Sequence, residues 1–165
     1  MAPLRTQRVL LHGNANWIRV NPDGEPQALR TGPFATDADL DEPSRLAAIV
    51  AAWKAGALSL LLPVEPSKIV CIGLNYVKHA QEQNKPLPVE PLMFLKPSTA
   101  LLAPGGTIEL PPQSSDVHYE GELAVVIGRR ATRVSAADAM DFVAGFTLMN
   151  DVTARDIQKR EGQYT

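Results

Sequence analysis

The sequence predicts a mixed α/β, β-rich fold, in which a small N-terminal α+β domain at residues 1–63 precedes a larger strand-rich domain at residues 64–165. Three observations support this prediction. Short apolar stretches rich in β-branched residues recur along the chain, a few helical patterns lie between them, and 14 of the 165 residues are proline. Because proline interrupts helices and central strands, this content favours short strands with irregular connections.

The N-terminal domain is predicted to contain a hairpin and a helix. Residues 8–20 alternate loosely between apolar and polar side chains around a turn at "HGNAN", and residues 21–26 supply the Pro, Asp and Gly of a second turn. Apolar residues at helical spacing predict a helix that begins at Pro43 and ends near Gly56. Residues 59–67 are extended and contain prolines, so we place the domain boundary there.

The larger domain is predicted to begin with short strands and a short helix. The sequence "KIVCIG" at residues 68–73 predicts a short buried strand. Residues 75–85 predict a polar helix that Pro86 ends. Extended segments follow at residues 92–97 and 99–112.

The last part of the chain is predicted to contain another helix and another strand. Ser135 and Asp138 have capping-box-like spacing, which predicts a helix that begins near Ser135. Residues 141–151 ("DFVAGFTLMND") predict a strand that ends in a polar turn at Asn150 and Asp151.

Two carboxylates stand at the start of a predicted strand between these elements. Leu123–Ile127 is an uninterrupted apolar run closed by Gly128, as expected for a strand covered on both faces. Side chains alternate along a strand, so Glu120 and Glu122 point to the same face. Carboxylates held near a core share a proton, pair with cations or bind a metal ion.

Asp151 is the expected third carboxylate, because it ends a neighbouring strand and opens a polar turn. Three carboxylates would supply much of the charge that a hard divalent ion needs. Since the chain has one cysteine and three histidines, an all-oxygen site favours Mg²⁺ or Mn²⁺ over zinc. The alternative is that Glu120 and Glu122 lie at a solvent-facing strand start and bond to Arg or Lys.

Composition excludes several classes of partner. The formal net charge is -2, from 16 basic and 18 acidic residues without a Lys/Arg-rich block, so neither a nucleic acid nor a membrane surface is an expected partner. No apolar run reaches membrane-spanning length, and the N-terminal one is too short for a signal peptide. Cys71 is the single cysteine, which excludes an internal disulfide, and it is expected to be an inert core residue. A cytoplasmic enzyme or binding protein fits these features.

Four stretches occur in an order that resembles the fumarylacetoacetate hydrolase family over roughly residues 66–165. They are "KIVCIGLNYVKHAQE", "PLMFLKPSTALLAPGGTIELP", "DVHYEGELAVVIGRRA" and "VAGFTLMNDVTARDIQKREGQYT". The resemblance implies a mixed β-sandwich roll that binds Mg²⁺ or Mn²⁺ through Glu120, Glu122 and Asp151. It also implies a homodimer, and a domain that continues past the end of this chain, so that the chain is expected to be the N-terminal portion of a bacterial-type member.

The resemblance further implies a catalytic pair and several substrate-binding residues. His79 and Glu82 match a His and a Glu on a mobile lid helix, and their spacing of three residues places them on one helix face. Glu82 would orient the imidazole, which could then activate water or move a proton. Without the resemblance, a histidine on a polar helix would be expected simply to be solvated. Residues implied near the substrate are Tyr76, Lys96, Arg155 and Gln158.

The function implied is metal-dependent hydrolysis of C–C bonds in 2-oxo acids of the acylpyruvate or fumarylpyruvate type, through a metal-stabilised enolate. Other reactions of the same family are alternatives, namely decarboxylation of oxaloacetate-type acids and isomerisation of 2-hydroxy-diene-dioates. An alternative of another class is an inactive binding or assembly module that keeps the fold. The base-orienter pair of His79 and Glu82 favours an enzyme, whereas the early C-terminus favours the module.

Overall fold

The structure is a computed structural model that describes residues 5–29, 32 and 43–162, and within these the side chains of residues 43–46 are not described. Grouped by their contacts, the residues form two units. The first comprises the chain up to Val64 together with Leu102–Thr107, and the second comprises Glu65–Leu101 together with the chain from Ile108 onward. The predicted division into domains 1–63 and 64–165 stays a prediction.

In its described residues, the first unit contains an antiparallel sheet and one helix. Its elements are β1 (Arg5–Leu11), β2 (Asn14–Val20), β3 (Pro26–Leu29), α1 (Pro43–Lys54) and β4 (Ser59–Leu60), and the sheet order is β3-β2-β1-β4. The predicted hairpin is confirmed, since Leu11 pairs with Asn14 across a two-residue loop. His12 and Gly13 in that loop both have positive φ, at 49° and 77°, as the common two-residue turn requires.

The core of the first unit draws one side chain from each of four elements. Val9, Ile18, Ala28 and Ile49 come from β1, β2, β3 and α1, and each is at most 1% exposed. Full burial of a Val or Ile side chain contributes about 1.5–3 kcal/mol, so these contacts hold α1 on the sheet.

The second unit is built from paired strands and two short helices. Its elements in chain order are β5 (Ile69–Gly73), α2 (Val77–Glu82), β6 (Leu92–Lys96), β7 (Val117–His118), β8 (Gly121–Ile127), β9 (Val143–Asn150), β10 (Thr153–Ala154) and α3 (Arg155–Glu161). All three strand pairs, β5–β6, β8–β9 and β7–β10, are antiparallel. The predicted strands at 68–73, 92–97 and 141–151 and the helix after residue 75 are therefore confirmed.

The β8–β9 and β7–β10 pairs are two parts of one hairpin. Gly121 pairs with Asn150, and His118 pairs with Thr153. The register is the same in both parts, because His118 precedes Gly121 by three positions and Thr153 follows Asn150 by three positions. Continuing this register across the gap places Glu120 opposite Asp151, and the Asp151 N–H donates to the Glu120 carbonyl oxygen at 2.8 Å.

The expected burial of the strand at 123–127 on both faces is wrong. The face that carries Glu122 is half-buried, whereas Leu123, Val125 and Ile127 on the other face are 56%, 49% and 61% exposed. Their neighbours Phe146 and Leu148 on β9 are also exposed. An apolar run indicates only that both faces of a strand suit burial. Here β8 and β9 form a two-stranded sheet, and among the described residues this face remains exposed.

The same correction applies to β5, where Cys71 is buried but Val70 and Ile72 are 53% and 39% exposed. The helix predicted from Ser135 is also wrong. Ser135 and Asp138 do make capping contacts, with Oγ donating to Oδ2 at 2.7 Å. The chain then forms only a 3₁₀ turn, Ala139–Phe142, before β9 begins.

Two smaller features complete the second unit. The extended segment predicted at 99–112 contains no strand among the described residues, and a 3₁₀ turn at Ser98–Ala100 overlaps its first two residues. Across the described ranges, every helix is too short or too polar to cross a membrane.

Candidate active site

A cleft of about 80 Å³ in the second unit brings together the predicted site residues other than Glu82. Its walls come from the loop after β5, from α2, from β6, from the junction of β7 and β8, and from the segment between β9 and α3. The predicted residues that line it are Tyr76, His79, Lys96, Glu120, Glu122, Asp151, Arg155 and Gln158. The sequence did not single out Gln83, Lys85 and Thr153, which also line it.

The hairpin register places the three carboxylates on one face. Directly opposed residues of an antiparallel pair point to the same side, and their Cβ atoms are about 5 Å apart. Glu120 and Asp151 are opposed in this way, and Glu122 lies two residues along the same face. Facing like charges destabilise a strand pair, so this arrangement requires neighbouring positive charge.

Two cations of the protein supply that charge. Lys96 Nζ on β6 is 2.5 Å from Asp151 Oδ1, and the two side chains are 20% and 8% exposed. Arg155 at the start of α3 pairs through Nη2 with Glu120 Oε1. The alternative drawn from the sequence placed Glu120 and Glu122 at a solvent-facing strand start, bonded to Arg or Lys. Glu120 does pair with Arg155, but its side chain is only 22% exposed.

Polar neighbours fix the orientation of Glu120 and Arg155. Thr153, which is 4% exposed, donates its hydroxyl to Glu120 Oε2 at 3.2 Å. The side-chain oxygen of Asn150 accepts from the Glu120 N–H at 2.9 Å. Arg155 Nη1 donates to Gln158 Oε1 at 3.0 Å. These hydrogen bonds hold the guanidinium and the carboxylate against each other at one side of the cleft.

The donor set fits a hard divalent cation in its chemistry, because carboxylate oxygens are what Mg²⁺ and Mn²⁺ prefer. Glu120, Glu122 and Asp151 face one cleft, and Asp151 is only 6% exposed. In the part of the chain described, however, no three His, Cys, Asp or Glu side chains are grouped to hold a metal ion. Two of the carboxylates instead turn toward Lys96 and Arg155, and the metal-ligand set stays a prediction.

The imidazole of His79 lies at the open side of the cleft. Its side chain is 46% exposed, and Nδ1 is 3.6 Å from Glu82 Oε2, which is longer than a hydrogen bond. The closer neighbour is Gln83, whose side-chain nitrogen is 2.6 Å from His79 Nε2. The sequence alone does not single out Gln83. It follows His79 by four residues, but a polar residue is common at the end of any helix.

Tyr76 connects the turn before α2 to β8. Its hydroxyl accepts a hydrogen bond from the backbone N–H of Leu123 at 3.2 Å. That N–H belongs to the strand that carries Glu122, so Tyr76 links the turn before α2 to the strand of the carboxylates. This contact supports the helix that was expected to act as a lid.

A family model of the fumarylacetoacetate (FAA) hydrolase C-terminal domain matches residues 68–165. Protein Rv2993c of Mycobacterium tuberculosis is 41% identical over 158 residues, which are 88% of this chain and 57% of that protein. The human mitochondrial oxaloacetate tautomerase FAHD2A is 50% identical over 104 residues, which are 62% of this chain and 33% of the tautomerase.

A solved structure is also similar to this chain. The 2-hydroxyhepta-2,4-diene-1,7-dioate isomerase from Mycobacterium marinum matches with a TM-score of 0.76 at 36% identity, over 99% of this chain and 60% of the isomerase. This match confirms the predicted mixed α/β, strand-rich fold, whereas the roll and the N-terminal α+β domain stay predictions. The chain spans from a third to just over half the length of these curated relatives.

The environment of Cys71 predicts low reactivity. Burial raises the pKa of its thiol, the carboxylates of Asp151 and Glu122 raise it further, and Lys96 opposes them. Because the thiolate is the reactive form, we expect iodoacetamide to alkylate the folded protein at pH 8 much more slowly than the unfolded protein. Mass spectrometry of timed samples measures both rates, and equal rates would contradict the burial of Cys71.

Asp156 ties α3 to the loop before β7 and thereby positions Arg155. The Ser114 hydroxyl, the Ser115 N–H and the Ile157 N–H donate to its carboxylate at 2.6, 3.0 and 2.9 Å. Hydrogen bonding, first from Ser114, lowers the pKa of Asp156 below its usual value. A lowered folded-state pKa stabilises the protein above the unfolded pKa, and this stability is lost as pH falls through the folded value.

We therefore expect Asp156→Asn to lower the unfolding midpoint at pH 7. The difference from the wild type should shrink below about pH 4, where the unfolded carboxyl begins to protonate. Denaturant unfolding followed by circular dichroism at several pH values measures this. Asp141→Asn, at an exposed position, is the control and should follow the wild type. A pH-independent difference would show that the carboxylate charge is not what stabilises this contact.

Proposed function

We propose, because this chain belongs to the fumarylacetoacetate hydrolase family, that it carries the reactive cleft of an enzyme that forms enolates from 2-oxo acids with a divalent metal ion. One observation carries the proposal: carboxylates, protein cations and an imidazole line the same cleft. The carboxylates suit a hard cation, the cations suit an anionic substrate, and the imidazole suits a proton transfer.

Proton-transfer reactions are the first candidates within this chemistry. Two similar proteins bear the names of an oxaloacetate tautomerase and a 2-hydroxyhepta-2,4-diene-1,7-dioate isomerase. Both named reactions move a proton between a carbon and another atom of a 2-oxo or 2-hydroxy acid. Hydrolysis of a C–C bond, the first choice from the sequence, forms the same enolate but also needs a positioned water. It is the second candidate, and decarboxylation the third.

Lys96 and Arg155 are the groups that would bind the substrate's carboxylate. Both line the cleft, and their side chains are 20% and 18% exposed, so charge-charge interactions there are only partly screened. Arg155 has a planar guanidinium that can bind a carboxylate through two N–H groups. Gln158 holds this guanidinium from the other side, at 3.0 Å from Nη1.

Glu120, Glu122 and Asp151 would hold Mg²⁺ or Mn²⁺, which when bound would supply positive charge beside the oxygens of a 2-oxo acid. For these carboxylates to serve as ligands, Asp151 must exchange its contact with Lys96, and Glu120 its contact with Arg155. Glu122, which has no ion-pair partner among the described residues, is available without such an exchange. The released Lys96 and Arg155 would then face the substrate.

His79 would move the proton. An imidazole titrates near neutral pH and is an effective general base there. Its Nε2 would take a proton from the carbon beside the keto group, and the imidazolium would return it to a different atom of the same substrate. No atom is gained or lost in this isomerisation. The exposure of His79, 46% for the side chain, allows the substrate to reach Nε2 before α2 closes.

A homodimer and a cytoplasmic location also remain proposals. Exposed apolar side chains on β8 and β9 favour burial against further polypeptide, because Leu123, Val125 and Phe146 lie side by side and are about half exposed. A second copy of the chain is the occupant that the family resemblance implies.

Metal binding is expected to respond in opposite directions to two substitutions. Glu122→Gln removes a ligand charge and should weaken Mn²⁺ binding by more than about tenfold. Lys96→Met removes the cation paired with Asp151 and should strengthen it. Isothermal titration calorimetry with Mn²⁺ measures both, and Glu90→Gln, at an exposed position outside the cleft, is the matched control. Weaker binding in Lys96→Met, or unchanged binding in Glu122→Gln, would contradict the proposed ligand set.

Catalysis is expected to depend on His79. Replacing it with alanine should reduce the rate of enol–keto interconversion of oxaloacetate by about 10²–10⁴-fold, while Mn²⁺ binding is unchanged. The absorbance of the enol follows the reaction. His118→Ala is the control, because His118 pairs with Asp116 at 2.9 Å outside the cleft. Metal binding without turnover of any 2-oxo acid by the wild type would instead identify an inactive binding module.

A further inference from the structure

The side chain of Gln83 contacts the nitrogen of His79 that the proposed reaction needs. Gln83 follows the last residue of α2, and its backbone N–H donates to the His79 carbonyl oxygen at 3.2 Å. Its side-chain nitrogen lies 2.6 Å from His79 Nε2. Both residues line the cleft, whereas Glu82 does not. Gln83 therefore holds His79 through both the backbone and the side chain.

The chemistry of the two neighbours selects one tautomer of the imidazole. An amide nitrogen only donates hydrogen bonds, so the contact with Gln83 is a hydrogen bond when Nε2 of a neutral His79 accepts and the ring proton lies on Nδ1. Glu82, 3.6 Å from Nδ1, is an acceptor when ionised and favours a proton on that same nitrogen. Both contacts therefore leave the lone pair on Nε2, the nitrogen that faces Gln83.

We propose that Gln83 is a positioning residue that keeps His79 in the Nδ1–H tautomer and covers Nε2 until a substrate enters the cleft. The inference rests on the proposed role of His79 as the base. When substrate arrives, the hydrogen bond from the amide to Nε2 breaks, and the substrate's C–H takes its place. The proton then moves to Nε2, and the electron pair of the C–H bond stays on the substrate as an enolate.

A glutamine suits this position because its amide nitrogen can donate to Nε2 when the ring proton lies on Nδ1. Methionine has no hydrogen to donate, and an ionised glutamate only accepts hydrogen bonds.

The charges around His79 come from several elements. The ionisable groups near it are Glu82 on its own helix and those that line the same cleft, namely Lys85, Lys96, Glu120, Glu122, Asp151 and Arg155. Substitutions at Gln83 leave all of these in place, so a change in the titration of His79 would report on the loss of this amide. Gln83→Glu places an acceptor beside Nε2 and should favour a proton there.

Nitrogen-15 NMR of the histidine rings tests the proposal without requiring activity. In the wild type, Nε2 of neutral His79 should resonate as an unprotonated acceptor. In Gln83→Met, the ratio of the Nδ1–H to the Nε2–H tautomer should fall about two- to tenfold, the effect of one hydrogen bond. In Gln83→Glu, the Nε2–H form should dominate. Gln81→Met, at an exposed position of the same helix outside the cleft, should resemble the wild type.

Kinetics provide the second measurement. Gln83→Met should lower kcat/KM for a 2-oxo acid about two- to tenfold, and Gln83→Glu should move the lower limb of its pH profile upward, because a carboxylate stabilises the imidazolium. A wild type in the Nε2–H tautomer, or a Gln83→Met variant with the wild-type tautomer ratio, would overturn the proposal. An inactive wild type with the expected tautomer would overturn the proposed function and support the role of Gln83 in holding the ring.

Discussion

The opposed pair of Glu120 and Asp151 is the constraint on which the rest of this cleft depends. One hairpin register runs from β7 into β8 and from β9 into β10, and it leaves these two carboxylates facing each other. Two like charges in a setting where Asp151 is 6% exposed are stable only with compensation. Lys96 approaches from β6 and Arg155 from α3, so three separate segments are drawn to one point.

The cleft has a rigid floor and an exposed upper side. The floor consists of paired strands, a buried threonine and the ion pairs that surround the carboxylates. His79, the proposed base, instead lies on a helix of six residues, Val77–Glu82, in which the side chains of His79 and Glu82 are 46% and 75% exposed. Helices this short have little stability of their own. This division suits the proposed function, in which the carboxylates would hold an ion and the exposed side would admit a substrate. The Tyr76 contact joins the turn before α2 to β8.

Sequence periodicity was sufficient to predict some of this site and insufficient for the rest. The alternation of a strand places Glu120 and Glu122 on one face, and the apolar run before Asp151 locates it at a strand end. Periodicity does not reveal which distant side chain reaches a given carboxylate. The family resemblance placed Lys96 and Arg155 near the substrate, and only the structure pairs them with Asp151 and Glu120. The prediction that β8 is buried on both faces was wrong for one face. An apolar run shows that both faces of a strand suit burial, but it does not show that other residues of the chain cover them. The sequence did not indicate Gln83, because its contact with His79 depends on the side-chain conformations of both residues.

We propose that the carboxylates around Asp151 exchange the protein's own cations for a divalent ion. A crystal structure of the protein with Mn²⁺, using anomalous scattering at the manganese edge, tests this exchange. We expect one manganese peak bounded by Glu120, Glu122 and Asp151, with Lys96 Nζ no longer within ion-pair distance of Asp151. A fully occupied manganese site elsewhere, or an intact Lys96–Asp151 pair at saturating Mn²⁺, would contradict it.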